Sequence, residues 1–158
     1  ADLHSIDNFV WSTQSQTCFA DDLDFDNDGI NNDKDLDSDN DGIPDNIEAQ
    51  STIEYIAPNY TYGSNGLDTA YGTGLSAIDT DATGNADYVS LDSDGDGLFD
   101  TDEVNYTIDT DNDGITNGTV GENGLDNSIY TADDYLDVNA NINDPRNLPD
   151  IDGDVLTI

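Results

Sequence analysis

The sequence predicts a mostly irregular fold: coil with short β elements, laid out as an elongated tandem repeat with no large hydrophobic core. Three observations predict it. The 158 residues carry 37 acidic side chains against two basic ones, Lys34 and Arg146, for a formal net charge of −35. Two stretches of 25 residues repeat one another at an offset of 55. No segment sustains the apolar spacing of an amphipathic helix. A single turn near 46–50 is the most helix the pattern supports.

A chain this acidic is either a disordered solvating segment or one whose charge is neutralised by bound cations. The kind of acid separates the two. Only four of the 37 are Glu (Glu48, Glu54, Glu103, Glu122), leaving 33 Asp. Solvating tails favour Glu, whose long arm keeps its charge in water. Asp has a short arm that returns its carboxylate to a tight backbone loop, as an oxygen cage for a hard cation requires.

The same balance removes other partners. Two cations make no basic patch, so nucleic acid is excluded. No run of about 18 apolar residues exists to insert into a membrane. Cys18 is the one cysteine, so it is a free thiol or pairs with a cysteine beyond this sequence. His4 reads as a solvated terminal residue.

The repeat sets the organisation. Asp24, Asp26, Gly29, Leu36, Asp37, Ser38, Asp39, Asp41, Gly42, Asp45 and Glu48 match Asp79, Asp81, Gly84, Leu91, Asp92, Ser93, Asp94, Asp96, Gly97, Asp100 and Glu103. A third unit opens at Asp109 as DTDNDGITN, and a further one at Asp150 as DIDGD. A second phrase recurs between them, NGLDTAY at 65–71 and NGLDNSIY at 123–130. The expected layout is an N-terminal segment or linker at 1–20, a first unit at 21–50 and a Tyr/Gly-rich connector at 51–78. A second unit follows at 79–105, then a third with its connector at 106–149, and the start of a truncated unit at 150–158. The chain therefore reads as an excised or mature piece of something longer. Segment 52–62, TIEYIAPNYTY, has β-type residues on both sides of Pro58 and Asn59 and predicts a short hairpin. Phe9, Val10, Trp11 and Phe19 make 1–20 a strand pair or a linker.

The acidic motif has the spacing of a twelve-residue calcium loop. Asp37, Asp39, Asp41, Gly42, Asp45 and Glu48 fall at positions 1, 3, 5, 6, 9 and 12 of residues 37–48. Alternate carboxylates on a coiled backbone converge on one point, and Gly at position 6 permits the sharp turn. Position 7, Ile43, offers a backbone carbonyl, and the acid at position 12 binds bidentately. Residues 92–103 repeat the set with Asp92, Asp94, Asp96, Gly97, Leu98, Asp100 and Glu103. Residues 24–35 do so with Asp24, Asp26, Asp28, Asn32 and Asp35. Residues 109–120 supply Asp109, Asp111, Asp113, Ile115 and Asn117, but Val120 stands at position 12, and Glu122 is a candidate replacement. Residues 79–90 keep Asp79, Asp81 and Asp87, with Thr83 at position 5 and Ser90 at position 12. The run Asp137, Asn139, Asn141, Asn143, Asp144 alternates oxygen donors without the glycine.

Magnitudes explain why such loops need an ion. Two like charges 4 Å apart repel by about 1 kcal/mol even in water, and several-fold more near protein. Several calcium ions (Ca²⁺) reverse that sign. Extracellular modules bind calcium with Kd of roughly 10⁻⁴–10⁻³ M. At millimolar calcium each such site adds on the order of 1 kcal/mol. Magnesium prefers few carboxylates and retained waters, and zinc and copper lack their usual His and Cys ligands.

The flanks do not allow EF-hands, because Asp35 lies only two residues before Asp37 and leaves no room for helices. DLDSDNDGIPDNIE and SLDSDGDGLFDTDE resemble the thrombospondin type 3 repeat family, in its bacterial branch of large secreted or surface-attached proteins. The resemblance covers about 21–50 and 79–121. It implies a calcium-stabilised repeat with little regular secondary structure, acting as a rigid stalk or spacer in an extracellular, adhesin-like protein. The chain departs from the animal pattern in lacking cysteines between motifs and in carrying Tyr-rich connectors. Asp68-Thr69-Ala70 resembles an O-glycosylation acceptor of some bacteria with such repeats, which points to Thr69.

Nothing points to catalysis. A single His builds no Ser/His/Asp set, no glycine-rich phosphate loop is present, and among 37 acids a carboxylate pair such as Asp133 and Asp134 carries no information. An enzyme whose catalytic domain lies elsewhere would use these repeats only as a linker. The alternative to a stalk is the protomer of a calcium-dependent surface filament, assembling with copies of itself. The Tyr residues read as packing over the connectors, with a glycan or cell-surface partner as the other reading. Ile30, Ile43, Leu98 and Ile115, after each motif glycine, read as small-core packing.

Overall fold

The computed structural model describes residues 23–104 and 107–136. The segment 1–20 with Cys18 and His4, the run from Asp137 to Asp144 and the unit at Asp150 lie outside the described residues.

The described chain is mostly turn and coil. Its helices are two single turns, α1 (Asp45–Glu48) and α2 (Asp100–Glu103), and three 3-10 turns at Thr52–Glu54, Thr69–Tyr71 and Asp87–Val89. Helices this short do not stand alone in water. Each α-turn starts at loop position 9, where acidic side chains favour the positive end of the helix. Each is then pinned by packing: Ile43, Ile47 and Val104 form one buried cluster, with Tyr55 against it.

Among the described residues the expected β elements shrink to two isolated antiparallel pairs, Tyr62 with Asp68 and Val120 with Asp126. The hairpin predicted over 52–62 does not form. The amide of Gln50 takes its place: its Oε1 accepts the Ile56 N–H at 3.0 Å and its Nε2 donates to the Ile56 carbonyl at 3.4 Å. Farther along, the N–H groups of Asn59 and Tyr60 donate to the Asp68 carboxylate at 3.1 and 2.7 Å. Side chains thus satisfy the backbone groups that a strand partner would have paired.

The two NGLD phrases fold alike. Thr69 N–H reaches the Thr61 carbonyl at 2.8 Å, and Asn127 N–H reaches the Thr119 carbonyl at 2.9 Å. Asp68 and Asp126 are both buried and accept N–H bonds from Ala70 and Ser128. Gly124 in the second phrase lies against the Asp35 carboxylate, and with φ of 80° it suits no other residue.

No large hydrophobic core exists among the described residues. A second small cluster joins Leu36, Leu125 and Tyr130, flanked by Ile129 and Tyr135. Buried polar and charged side chains outnumber the buried apolar ones. Apolar burial, at about 1.5–3 kcal/mol per large side chain, is small against the entropy of ordering a chain of this length, about 1 kcal/mol or more per residue.

The units also fold back on one another rather than following in line. Thr116 donates its N–H to the Asn40 carbonyl and its hydroxyl to Asn40 Oδ1, both at 2.8 Å. Leu36 N–H meets the Asn123 carbonyl at 2.8 Å, and Tyr71 donates its hydroxyl to Asn46 at 2.6 Å. Residues 41–50 are buried throughout. The loop 37–48 is the centre, and the other units cover it.

Candidate metal centres

Five loops share one backbone design. In each, the position-1 carboxylate accepts the N–H of the position-6 glycine: Asp24 from Gly29, Asp37 from Gly42, Asp79 from Gly84, Asp92 from Gly97 and Asp109 from Gly114, at 2.9–3.2 Å. Position 5 accepts from position 7, with Asp28, Asp41, Asp96 and Asp113 taking the amides of Ile30, Ile43, Leu98 and Ile115. Position 3 accepts from position 5 at Asp26, Asp81 and Asp94. The coil also needs left-handed backbone at position 4 (Asn27, Asn40, Ala82, Gly95 and Asn112), as at the position-6 glycines.

In loops 24–35 and 37–48, and at Asp92, these bonds leave a second carboxylate oxygen buried. Asp24 Oδ1, Asp26 Oδ2, Asp28 Oδ2, Asp35 Oδ2, Asp37 Oδ1, Asp41 Oδ2 and Asp92 Oδ1 are buried with no hydrogen-bond partner, as are both oxygens of Asp39 and of Glu48. In 37–48 the burial is nearly complete: Asp37, Asp41 and Glu48 are 0% exposed and Asp39 2%. A buried carboxylate oxygen without a donor is strongly unfavourable unless a proton or a cation meets it.

The charges converge in space. Oxygens within 4.8 Å of one another gather from Asp24, Asp26 and Asp28; from Asp37, Asp39 and Asp41; from Asp92, Asp94 and Asp96; and from Asp109, Asp111 and Asp113. Burial, and then the neighbouring carboxylates, push Asp37, Asp39, Asp41 and Glu48 well above the usual carboxylate range. Burial pushes Asp35 up to about 9 and Asp26 up to about 6. Near neutral pH such groups cannot all ionise without a counter-charge. The donor set is oxygen alone, which suits a hard cation. The residues fit a metal.

Other expected ligands are placed differently. The position-9 side chains act as clamps on position 2. Asp45 accepts the Ser38 N–H and hydroxyl, both at 2.7 Å, and Asp87 does the same for Thr80 at 2.8 and 2.7 Å. Asp100 holds Ser93 and Asn117 holds Thr110 in this way, while Asn32 accepts the Phe25 N–H. The clamp has a backbone counterpart: every position-9 N–H donates to the carbonyl just before position 1, at Leu23, Leu36, Ile78, Leu91 and Ile108. That aliphatic residue ahead of every first Asp was a readable signal of the closed loop.

At position 12, Glu48 meets Asp41 and Asp100, and Glu103 is buried. Val120 pairs across to Asp126, and Glu122 is exposed. Loop 79–90 has the shared backbone but gathers no three carboxylates among the described residues. Of the residues after each motif glycine, Ile43 is buried in the core, Ile30 and Ile115 are half-buried, and Leu98 is exposed, so core packing describes Ile43 alone. Thr69 is exposed, with its hydroxyl bonded to Asn59. Missed altogether was the group of Asp41, Glu48 and Asp100, which joins two repeats.

No family model matches the chain, and no curated protein does. Among the described residues no helix is long and apolar enough to cross a membrane.

Proposed function

We propose that this chain is a calcium-binding structural module, a rigid stalk or spacer unit of an extracellular or cell-surface adhesin-like protein. One observation carries the calcium part: the partnerless, buried oxygens of Asp37, Asp39, Asp41 and Glu48. A protein that kept these groups dry without a cation would hold several mutually repelling carboxylates in its interior. The all-oxygen cages and the thrombospondin type 3-like phrases support calcium over magnesium or zinc. The spacer role follows from what the ions do, which is to lock coil into one shape where apolar burial is too small to do so. With a single histidine, His4, the sequence builds no Ser/His/Asp set, and the module is read as non-enzymatic.

Calorimetric titration of the chelator-stripped chain with calcium is the test. Uptake of several ions with a gain of ordered circular dichroism is expected. No uptake at millimolar calcium would sink the reading. Light scattering in calcium separates a spacer, which stays monomeric, from a filament protomer, which polymerises.

A further inference from the structure

Loop 37–48 buries more negative charge than one ion can neutralise. Asp37, Asp39, Asp41, Asp45 and Glu48 are all at most 3% exposed, and so is Asp100. A single divalent cation leaves four of those six charges uncompensated in a dry interior, and two cations leave two. The geometry divides the oxygens the same way. One group is Asp37, Asp39 and Asp41; the other is Asp41, Glu48 and Asp100. Asp41 belongs to both. Its Oδ2 has no hydrogen-bond partner, and neither has either oxygen of Glu48. Asp100 comes from the other repeat, 52 positions beyond Glu48.

We propose that two calcium ions share the Asp41 carboxylate, the first held within loop 37–48 and the second closed by Asp100 of the neighbouring repeat. This inference rests on the calcium reading above and adds that one ion is a staple between repeats. Ser93 holds Asp100 in place, its N–H donating to both carboxylate oxygens at 3.0 and 3.1 Å and its hydroxyl to Oδ2 at 2.7 Å, and each oxygen keeps a further lone pair for an ion. Asp100 opens α2, and Val104, which caps that turn, packs beside Ile43 and Ile47 of the first repeat. The second ion therefore fills only when the two repeats are docked, and docking is tight only when it fills.

The test counts ions by native mass spectrometry on the full chain in calcium, comparing wild type with Asp100→Asn and Asp102→Asn. Asn keeps an oxygen for Ser93 but removes the charge. Asp100→Asn is expected to carry one ion fewer, or to need at least tenfold more calcium for the last one, with faster hydrogen exchange over 39–48. Asp102→Asn, on the same turn but in neither group, should match wild type. Asp100→Asn with every ion retained at wild-type affinity overturns the shared site while leaving the calcium reading intact. A wild-type chain that binds no calcium overturns both. Should Asp100→Asn fail to fold, a calcium-loaded crystal structure of wild type decides: two peaks flanking Asp41 support the staple, and one peak refutes it.

Discussion

Loops 37–48 and 92–103 have the same acids and glycine at positions 1, 3, 5, 6, 9 and 12, yet they occupy opposite situations. Both coil alike, both close position 9 onto position 2 through a serine, and both end in one helical turn. In the first, Asp37, Asp39 and Asp41 are sealed from water; in the second, Asp92 and Asp94 are half-buried and Asp96 is exposed. The difference comes from neighbours. Asn40 is held by Thr116, Leu36 by Asn123 and Asn46 by Tyr71, which closes a lid over the first loop. The same motif can therefore be a solvated acidic loop or the centre of a fold. Neutralising a sealed cage matters far more than neutralising an open one.

The largest test of that contrast is removal of calcium. Chelation at neutral pH is predicted to unfold the covered centre, so that hydrogen exchange over 37–50 rises to the level of free peptide. Exchange at 95–98, already exposed, should change less. A cooperative melt surviving chelation would end the account.

Next in size is pH in the absence of calcium. Asp35 is raised to about 9 and Asp26 to about 6, against an ordinary value of 3.8. The folded chain then holds protons that the unfolded chain has released. Stability from these groups is complete below pH 3.8 and is lost as pH rises through about 6 and then about 9. Chelated protein should therefore be more ordered near pH 4 than near pH 8, by circular dichroism. Calcium should invert the trend, because it competes with protons for the same oxygens. A chelated chain more ordered at pH 8 contradicts the burial described here.

A pair of substitutions in saturating calcium is sharper. Asp39→Ala, in the sealed cage, is expected to cost about 3–5 kcal/mol, on the scale of breaking a buried charge assembly. Asp94→Ala, its half-buried equivalent, should cost about 1 kcal/mol or less, as exposed charge interactions do. Urea melts giving equal losses would mean that burial does not separate the loops.

The smallest effect probes what the loops have in common. Ser38→Ala and Ser93→Ala each remove a hydroxyl from a buried position-9 carboxylate and are expected to cost about 1 kcal/mol apiece. Near-equal values would confirm that the clamp is local; a large excess at Ser38 would tie it to the lid.

By itself the sequence determined the loops. Asp at alternate positions, Gly at position 6 and Asn or Gly at most position-4 sites dictate a coil whose hydrogen bonds span nine residues or fewer, so local chemistry suffices to specify it. Loop 79–90 holds the same shape even with Ala82 at position 4 and Thr83 at position 5. The scarcity of core was legible too, in the ratio of acid to large apolar residues. Only the tertiary structure decided which loop is sealed, that Gln50 displaces the hairpin at 52–62, and that Asp100 meets Asp41 and Glu48. Those outcomes depend on groups brought together across long stretches of chain, such as Asn40 and Thr116 at a separation of 76. Nothing in a repeat motif encodes which of its copies the rest of the chain will cover.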